Sequence, residues 1–259
     1  MILSLMLAGA LGVEAPEAKP AEMSMWRMDC GLYDIDNLGG RRVLMPVSCY
    51  LIRNGNELVL FDAGLGASIK GKPLREEGQT LTLERTLKEQ FAQIGVDPDK
   101  VGTLVVSHYH GDHHGQADLF PNAKLVIGAG DAAQMRAESD KGKLAPWLGG
   151  QRPIDEVTAD RPLDKDGRLT VLFTPGHTPG HLSMLVKLDT ATYVLTGDLV
   201  HQRGQIAERK PSGNHTDKVR GKAEIERVVA LAEREKATII VGHDGADTPL
   251  LPAFPKAAE

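Results

Sequence analysis

Hydrophobic and polar positions along this chain change period several times, and the changes mark its elements. Met25 to Leu32 and Pro46 to Arg53 read as strands, with a turn at Asn37-Leu38-Gly39-Gly40 between them. Asn54-Gly55-Asn56 is a hairpin turn leading into a strand from Glu57 to Phe61. Over Leu81 to Ile94 the period lengthens. Leu83, Leu87, Phe91 and Ile94 recur at steps of three and four, which predicts a helix. Val101 to Val106 is a short apolar run, as expected of a buried strand. Further strands are predicted over 124–128, 169–173, 181–188, 192–195 and 238–241. A short helix is predicted over 131–138 with Asp131 as its N-cap. A longer one, over 223–235, stacks Ile225, Val228, Val229 and Ala232 on one face. Residues 65–80 and 139–162 show no clear period and read as long loops, which are often functional. Within the second, Ala145-Pro146-Trp147-Leu148 is either an apolar wall for a substrate chain or packed core.

Strands come first; helix and strand then alternate, and the second half loosely echoes the first. This order fits an α/β fold, a four-layer sandwich of two packed sheets with helices outside. Residues 25–259 read as one domain. The preceding segment, 1–24, is different. Ile2 to Val13 is apolar, and Val13-Glu14-Ala15 has the small residues of a cleavage site, although no Lys or Arg precedes the apolar run. It reads as a signal peptide and flexible lead, which places the protein in the periplasm or outside the cell, with the cytoplasm as the alternative. The run is too short to span a bilayer, so no stable membrane insertion is expected.

Composition narrows the function classes. A net charge of −5 offers no basic footprint for nucleic acid. With only 4% aromatic residues, base-stacking platforms are disfavoured as well. The two cysteines, Cys30 and Cys49, are too few for a disulfide scaffold. They read as small buried apolar side chains, with a single disulfide as the lesser alternative. A homodimer is left open.

The chemistry lies in a dispersed set of histidines and carboxylates. His108-Tyr109-His110-Gly111-Asp112-His113 follows directly on the apolar run to Val106. His177 stands in Thr-Pro-Gly-His-Thr-Pro-Gly-His, Asp198 in Leu-Thr-Gly-Asp, and His243 in Ile-Ile-Val-Gly-His-Asp. Each sits just past a β-like run, where loops on a rigid frame carry chemistry. Five imidazoles with two carboxylates suit zinc or a similar first-row metal, and the number suffices for two ions. Asp198, with two oxygens, suits a bridge between them. His181, four residues after His177, is expected only to support the site.

These residues resemble the metallo-β-lactamase superfamily signature. The resemblance implies an αβ/βα fold, with one metal at His108, His110 and His177. It implies a second at Asp112, His113 and His243, and Asp198 bridging. Within the superfamily the chain is most similar to the N-acyl-homoserine lactone lactonases, from about Met25 to Pro255. That likeness rests on Pro46-Val47-Ser48-Cys49-Tyr50-Leu51-Ile52, on Phe61-Asp62-Ala63-Gly64 and on Thr174 to His181. Gly242-His243-Asp244 and Phe254-Pro255 are similar too. It implies a small-molecule lactone or ester substrate and two divalent ions, zinc by default, with manganese, iron or cobalt accepted by the same ligands. Asp112 would orient the attacking water and return a proton to the leaving alkoxide. Those lactonases commonly carry a tyrosine three residues after the bridging aspartate. Here that position is His201, either a catalytic hydrogen-bond donor in its place or a solvent-facing side chain.

Other readings share part of this pattern. Zinc β-lactamases typically lack the bridging aspartate, so Asp198 argues against that activity. Thioesterases of the glyoxalase II type share the whole ligand set. Flavin-linked diiron oxidoreductases usually place an acidic residue where His110 stands. A non-catalytic metal-binding module on the same fold is the alternative from outside enzymology.

Overall fold

In the computed structural model, residues 22–259 are described. Most of the segment read as a signal peptide, including its apolar run, lies outside the described residues. Strands β1 (Met23–Leu38), β2 (Arg41–Asn54) and β3 (Glu57–Phe61) form an antiparallel meander. They are joined by β4 (Leu74–Glu76), β5 (Gln79–Thr82), β6 (Thr103–Val105), β7 (Lys124–Gly128) and β8 (Ile154–Val157). The eight make one sheet, in the order β4-β5-β1-β2-β3-β6-β7-β8. A second sheet contains β9 (Arg161–Pro162), β10 (Leu169–Phe173), β11 (Leu182–Lys187), β12 (Thr192–Leu195) and β13 (Thr238–Ile240). Its order is β13-β12-β11-β10-β9.

Alternation along the strands divides the apolar residues between layers, because successive side chains leave opposite faces. On β2, Tyr50 and Ile52 enter the seam between the sheets with Val59, Phe61, Val126, Val171 and Met184. Cys49 and Leu51, on the other face, pack outward with Leu87, Phe91, Phe120 and Trp147. Those partners belong to helices α1 (Leu87–Gln93), α2 (Gly111–His114), α3 (Ala129–Ala137) and α4 (Ala145–Leu148) and the loops between them. Past a short helix α5 (Gly204–Glu208), α6 (Lys218–Glu235) lays Ile225, Val228, Val229 and Ala232 on the outside of the second sheet. The result is helix, sheet, sheet, helix. Among the described residues no helix is long and apolar enough to cross a membrane.

Several local expectations change. The helix expected over 81–94 begins only at Leu87. Leu81 belongs to β5, which pairs with β1 and with β4 across Gly78. Thr86 closes a capping box with Glu89 and so fixes the helix start. The stretches read as loops, 65–80 and 139–162, hold β4, part of β5, α4, β8 and β9. Elements this short are shaped by edge pairing and by packing, and do not show a period of their own. Trp147 is completely buried and its Nε1 donates to the Ala123 carbonyl at 2.8 Å, so Trp147 and Leu148 are core, while Ala145 is exposed.

The cysteines also differ from expectation. Cys30 and Cys49 form a disulfide between β1 and β2, with Cα atoms 5.9 Å apart. Cys30 is the extra residue of a β-bulge, between the Asp29↔Ser48 and Gly31↔Val47 pairs. The bulge turns Cys30 toward its neighbour, a displacement that residue spacing alone does not display.

Candidate metal centre

The parallel strands β3, β6 and β7, and β12 with β13, aim their C-terminal ends at one rim of the sandwich. Loops leaving that rim carry the candidate ligands, as is usual in sheets of this type. Beyond β6 the chain delivers His108 and His110 and then winds into α2, which adds Asp112 and His113. His177 follows β10, Asp198 follows β12 and His243 follows β13.

All seven side chains converge. His108, His110, His177 and Asp198 present ligand atoms within 4.8 Å of one another, as do Asp112, His113 and His243. In the first group, His108 Nε2 and His110 Nδ1 are 2.7 Å apart, and His177 Nε2 lies 3.2 and 3.1 Å from them. A tetrahedral ion with Zn–N bonds of about 2.0–2.1 Å would hold such nitrogens about 3.3 Å apart. Asp198 stands between the groups. Its Oδ2 is 3.6 Å from His108 Nε2 and 3.4 Å from His177 Nε2, and its Oδ1 is 3.4 Å from His113 Nε2 and 3.0 Å from His243 Nε2. His113 Nε2 and Asp198 Oδ1 are buried without a hydrogen-bond partner. Buried polar atoms are rarely left so, and a cation at the centre of the cluster would satisfy both.

Surrounding groups turn each imidazole toward that centre. Asp62 accepts from His113 Nδ1 at 2.8 Å and from the Ser107 amide at 2.7 Å, leaving His113 Nε2 inward. Asp62 has φ +63°, and its left-handed turn is continued by Gly64, where a Cβ would lie 2.5 Å from Cys30 Cβ. His243 Nδ1 donates to the Pro46 carbonyl at 2.9 Å, which likewise directs Nε2 inward. The supporting role expected of His181 is visible as a contact. Its Nε2 accepts from the Asp198 amide at 3.0 Å, and its Nδ1 meets Thr174 Oγ1 at 2.9 Å.

Asp131 does not cap α3; Gly128 occupies the N-cap position. Its buried carboxylate instead crosses to the His177 loop. It accepts from Thr178 Oγ1 at 2.7 Å and from the Gly180 amide at 2.6 Å, and it reaches back to the Tyr109 amide at 3.2 Å. One side chain thus clasps the loops of His108, His110 and His177. Close backbone contact makes this possible: a Cβ on Gly128 would stand 1.7 Å from the Gly180 oxygen.

The electrostatics separate the two groups. Burial holds His108 well below the usual histidine range, lowers His110, and takes His177 to about 2. These imidazoles are therefore neutral, as metal ligation requires. At His113 and His243 burial acts the same way, but the carboxylates of Asp112 and Asp198 outweigh it and raise both. Burial alone would raise Asp112 and Asp198; the facing histidines lower them instead.

A chamber of about 320 Å³ opens onto this cluster. His110, Asp112, Asp198 and His243 form its floor, and Tyr33, Ile35, Met45, Gln79 and His201 its walls. His201 faces inward, with Nε2 3.0 Å from Asp198 Oδ2. Residues 139–162, read as a long and functional loop, do not line it. Sequence reasoning missed Tyr33, which lines the chamber edge-on to His243 at 6.3 Å between ring centroids. Burial, then the charge of Asp112, raises its phenol far above the ordinary value, so it remains a hydrogen-bond donor. Only the β1–β2 register brings Tyr33 here, opposite Met45. His215 was also missed. It is buried against His177, with ring centroids 5.2 Å apart.

The sequence model of the metallo-beta-lactamase superfamily matches residues 42–243. The chain belongs to that superfamily. Among its relatives is the N-acyl homoserine lactonase AttM of Rhizobium radiobacter, 28% identical over 223 residues, covering 77% of this chain and 82% of the relative. Among solved structures, a quorum-quenching N-acyl homoserine lactone hydrolase superposes with TM-score 0.78 at 20% identity, over 93% of this chain and 99% of that one. AidC, a dizinc quorum-quenching lactonase, gives TM-score 0.63 at 16% identity over 93% and 91%. The likeness to these structures carries the αβ/βα fold.

Proposed function

We propose that this protein is a metal-dependent hydrolase that opens lactone rings, with N-acyl homoserine lactones or similar esters as substrates. The observation that carries the reading is the convergence of seven ligand side chains on two adjoining sites with Asp198 between them. The lactonase relatives support the bond type. His108, His110 and His177 would hold one divalent ion, Asp112, His113 and His243 the other, and Asp198 would bridge. When bound, such a pair lowers the pKa of water and polarises a carbonyl; zinc suits the donor set, and manganese, iron or cobalt fit it too.

The protein's own groups do the rest. Asp112 orients the attacking water, takes its proton at a carboxylate oxygen and returns it to the leaving alkoxide. His201 and Tyr33 are donors on the chamber wall, placed to hold the substrate carbonyl or ring oxygen. Ile35 and Met45 shield the reaction from water on one side. We place the protein in an oxidising compartment, in keeping with the export expected from its first 24 residues. The buried Cys30–Cys49 disulfide supports this location.

The test is a metal analysis with a pH-indicator screen of lactones, and a thioester and a β-lactam alongside. About two equivalents of metal and selective lactone turnover are expected. Asp198→Asn and His113→Ala should bring hydrolysis to background and reduce bound metal. Thioester turnover in place of lactone would assign the glyoxalase II type of chemistry. Full activity after chelation would refute the mechanism.

A further inference from the structure

Beside the metal chamber lies a second, larger cavity of about 630 Å³, and the two meet along Ile35, Met45, His201 and Asn214. One face of the β1–β2 hairpin runs through both. The register pairs Tyr33 with Met45, Ile35 with Val43, and Leu38 with Arg41. Tyr33 lines only the inner chamber, Ile35 and Met45 line both, and Leu38 and Arg41 line only the outer one. At about 3.3 Å per residue, Arg41 stands about 13 Å further out than Met45. The hairpin side of this path is apolar, with Met45, Ile35 and Leu38, while Gln202, Gln205 and Ser212 also line the cavity. At the outer end Arg41 on the hairpin and Lys210, past α5, face the same cavity. Among the described residues neither has an ion-pair partner, whereas Arg42 pairs with Asp34 and Arg203 with Asp247. Glu208 lines the cavity too and partly offsets them.

We propose that the outer cavity receives the substrate's arm and that Arg41 and Lys210 bind a carboxylate at its far end. The preferred substrates are then lactones or esters whose arm is apolar for about 13 Å and terminates in an anion. This rests on the hydrolase reading of the metal centre. An apolar hairpin wall that ends at two cations without ion-pair partners favours such an arm over a purely aliphatic one. Arg in particular matches a carboxylate with a two-pronged contact.

The experiment compares two lactones with arms of equal length, one ending in methyl and one in carboxylate, on the metal-loaded protein. A charge-assisted contact corresponds to about a tenfold preference in kcat/KM for the carboxylate. It should reside in KM and shrink with added salt. In the Arg41→Gln/Lys210→Gln double variant the ratio between the two substrates should fall to near one, and in Glu208→Gln it should rise. Equal rates on the wild-type protein, or a ratio that survives the double substitution, would overturn the proposal. If neither lactone is hydrolysed, the hydrolase reading fails, and the cavity is judged by calorimetry instead. An α,ω-dicarboxylate should then bind the wild-type protein about tenfold tighter than the monocarboxylate of equal length. Equal affinities would overturn the proposal independently of any activity.

Discussion

Asp62 illustrates how much of this site rests on residues that never touch the reaction. Its carboxylate links His113 Nδ1 to the Ser107 amide, so it sets both the tautomer of one candidate ligand and the path of the loop that carries two more. Asp62→Ala is expected to lower metal affinity by about 10–100-fold, measured by competition with a chromogenic chelator. Unchanged affinity would show that the loop orients His113 unaided. The donors on the chamber wall make a second case. Tyr33→Phe removes one hydroxyl without altering the apolar contacts of the ring. If the phenol bonds the reacting carbonyl, kcat should fall by about tenfold while metal content holds. A change confined to KM would assign it to binding alone. The seven ligand candidates are recognisable from their spacing, whereas Tyr33 is not. A lone tyrosine on an alternating strand has no local mark of function, and its role depends on which strand lies opposite.

At the scale of elements, the sandwich is held to the site by a few close contacts. The disulfide closes a loop of 19 residues between β1 and β2. The same bulge also receives the Leu65 amide on the Cys30 carbonyl at 3.0 Å. Replacing both cysteines by serine should cost about 3 kcal/mol in a denaturant titration, the entropy of a loop of this size. At the start of α1, Thr86→Ala removes a cap and should cost about 1 kcal/mol with little effect on the metal site. Gly128→Ala is expected to do the reverse of a mild change. Its Cβ would collide with the Gly180 backbone and push apart the two loops that Asp131 clasps, so metal binding should be lost together with stability. The long α6 and the strands around it follow plainly from periodicity, since a helix of 18 residues and strands with two buried faces impose their own patterns. The short β4, β5, β8 and β9 do not. They exist because an edge offers them hydrogen bonds, and an edge is a property of the assembled sheet.

For the whole molecule, the histidine cluster is a liability that metal relieves. Several imidazoles and two carboxylates are packed into one buried volume, and some of their polar atoms have no partner. Burying such groups costs free energy unless something binds them. Metal removal should therefore lower the melting temperature, and reloading should restore it in a concentration-dependent way. At a metal concentration 100 times the Kd, the gain is about 2.7 kcal/mol. A melting temperature indifferent to chelation would mean that the cluster is stable without an ion.

The chain's order of residues by itself determined the sandwich and singled out the seven candidate ligands that the fold brings together. Both are written in local features: apolar runs of strand or helix period, and histidines and aspartates placed just beyond them. Tertiary structure decided which groups surround the candidate ligands. The turning of His113 by Asp62, the clasp of Asp131 across two loops, the pairing of Cys30 with Cys49 and the hairpin face that presents Tyr33 and Arg41 all join residues from separate strands or loops. Such contacts depend on register, bulges and close backbone approach. These quantities take values only when two segments meet, so no window of sequence contains them.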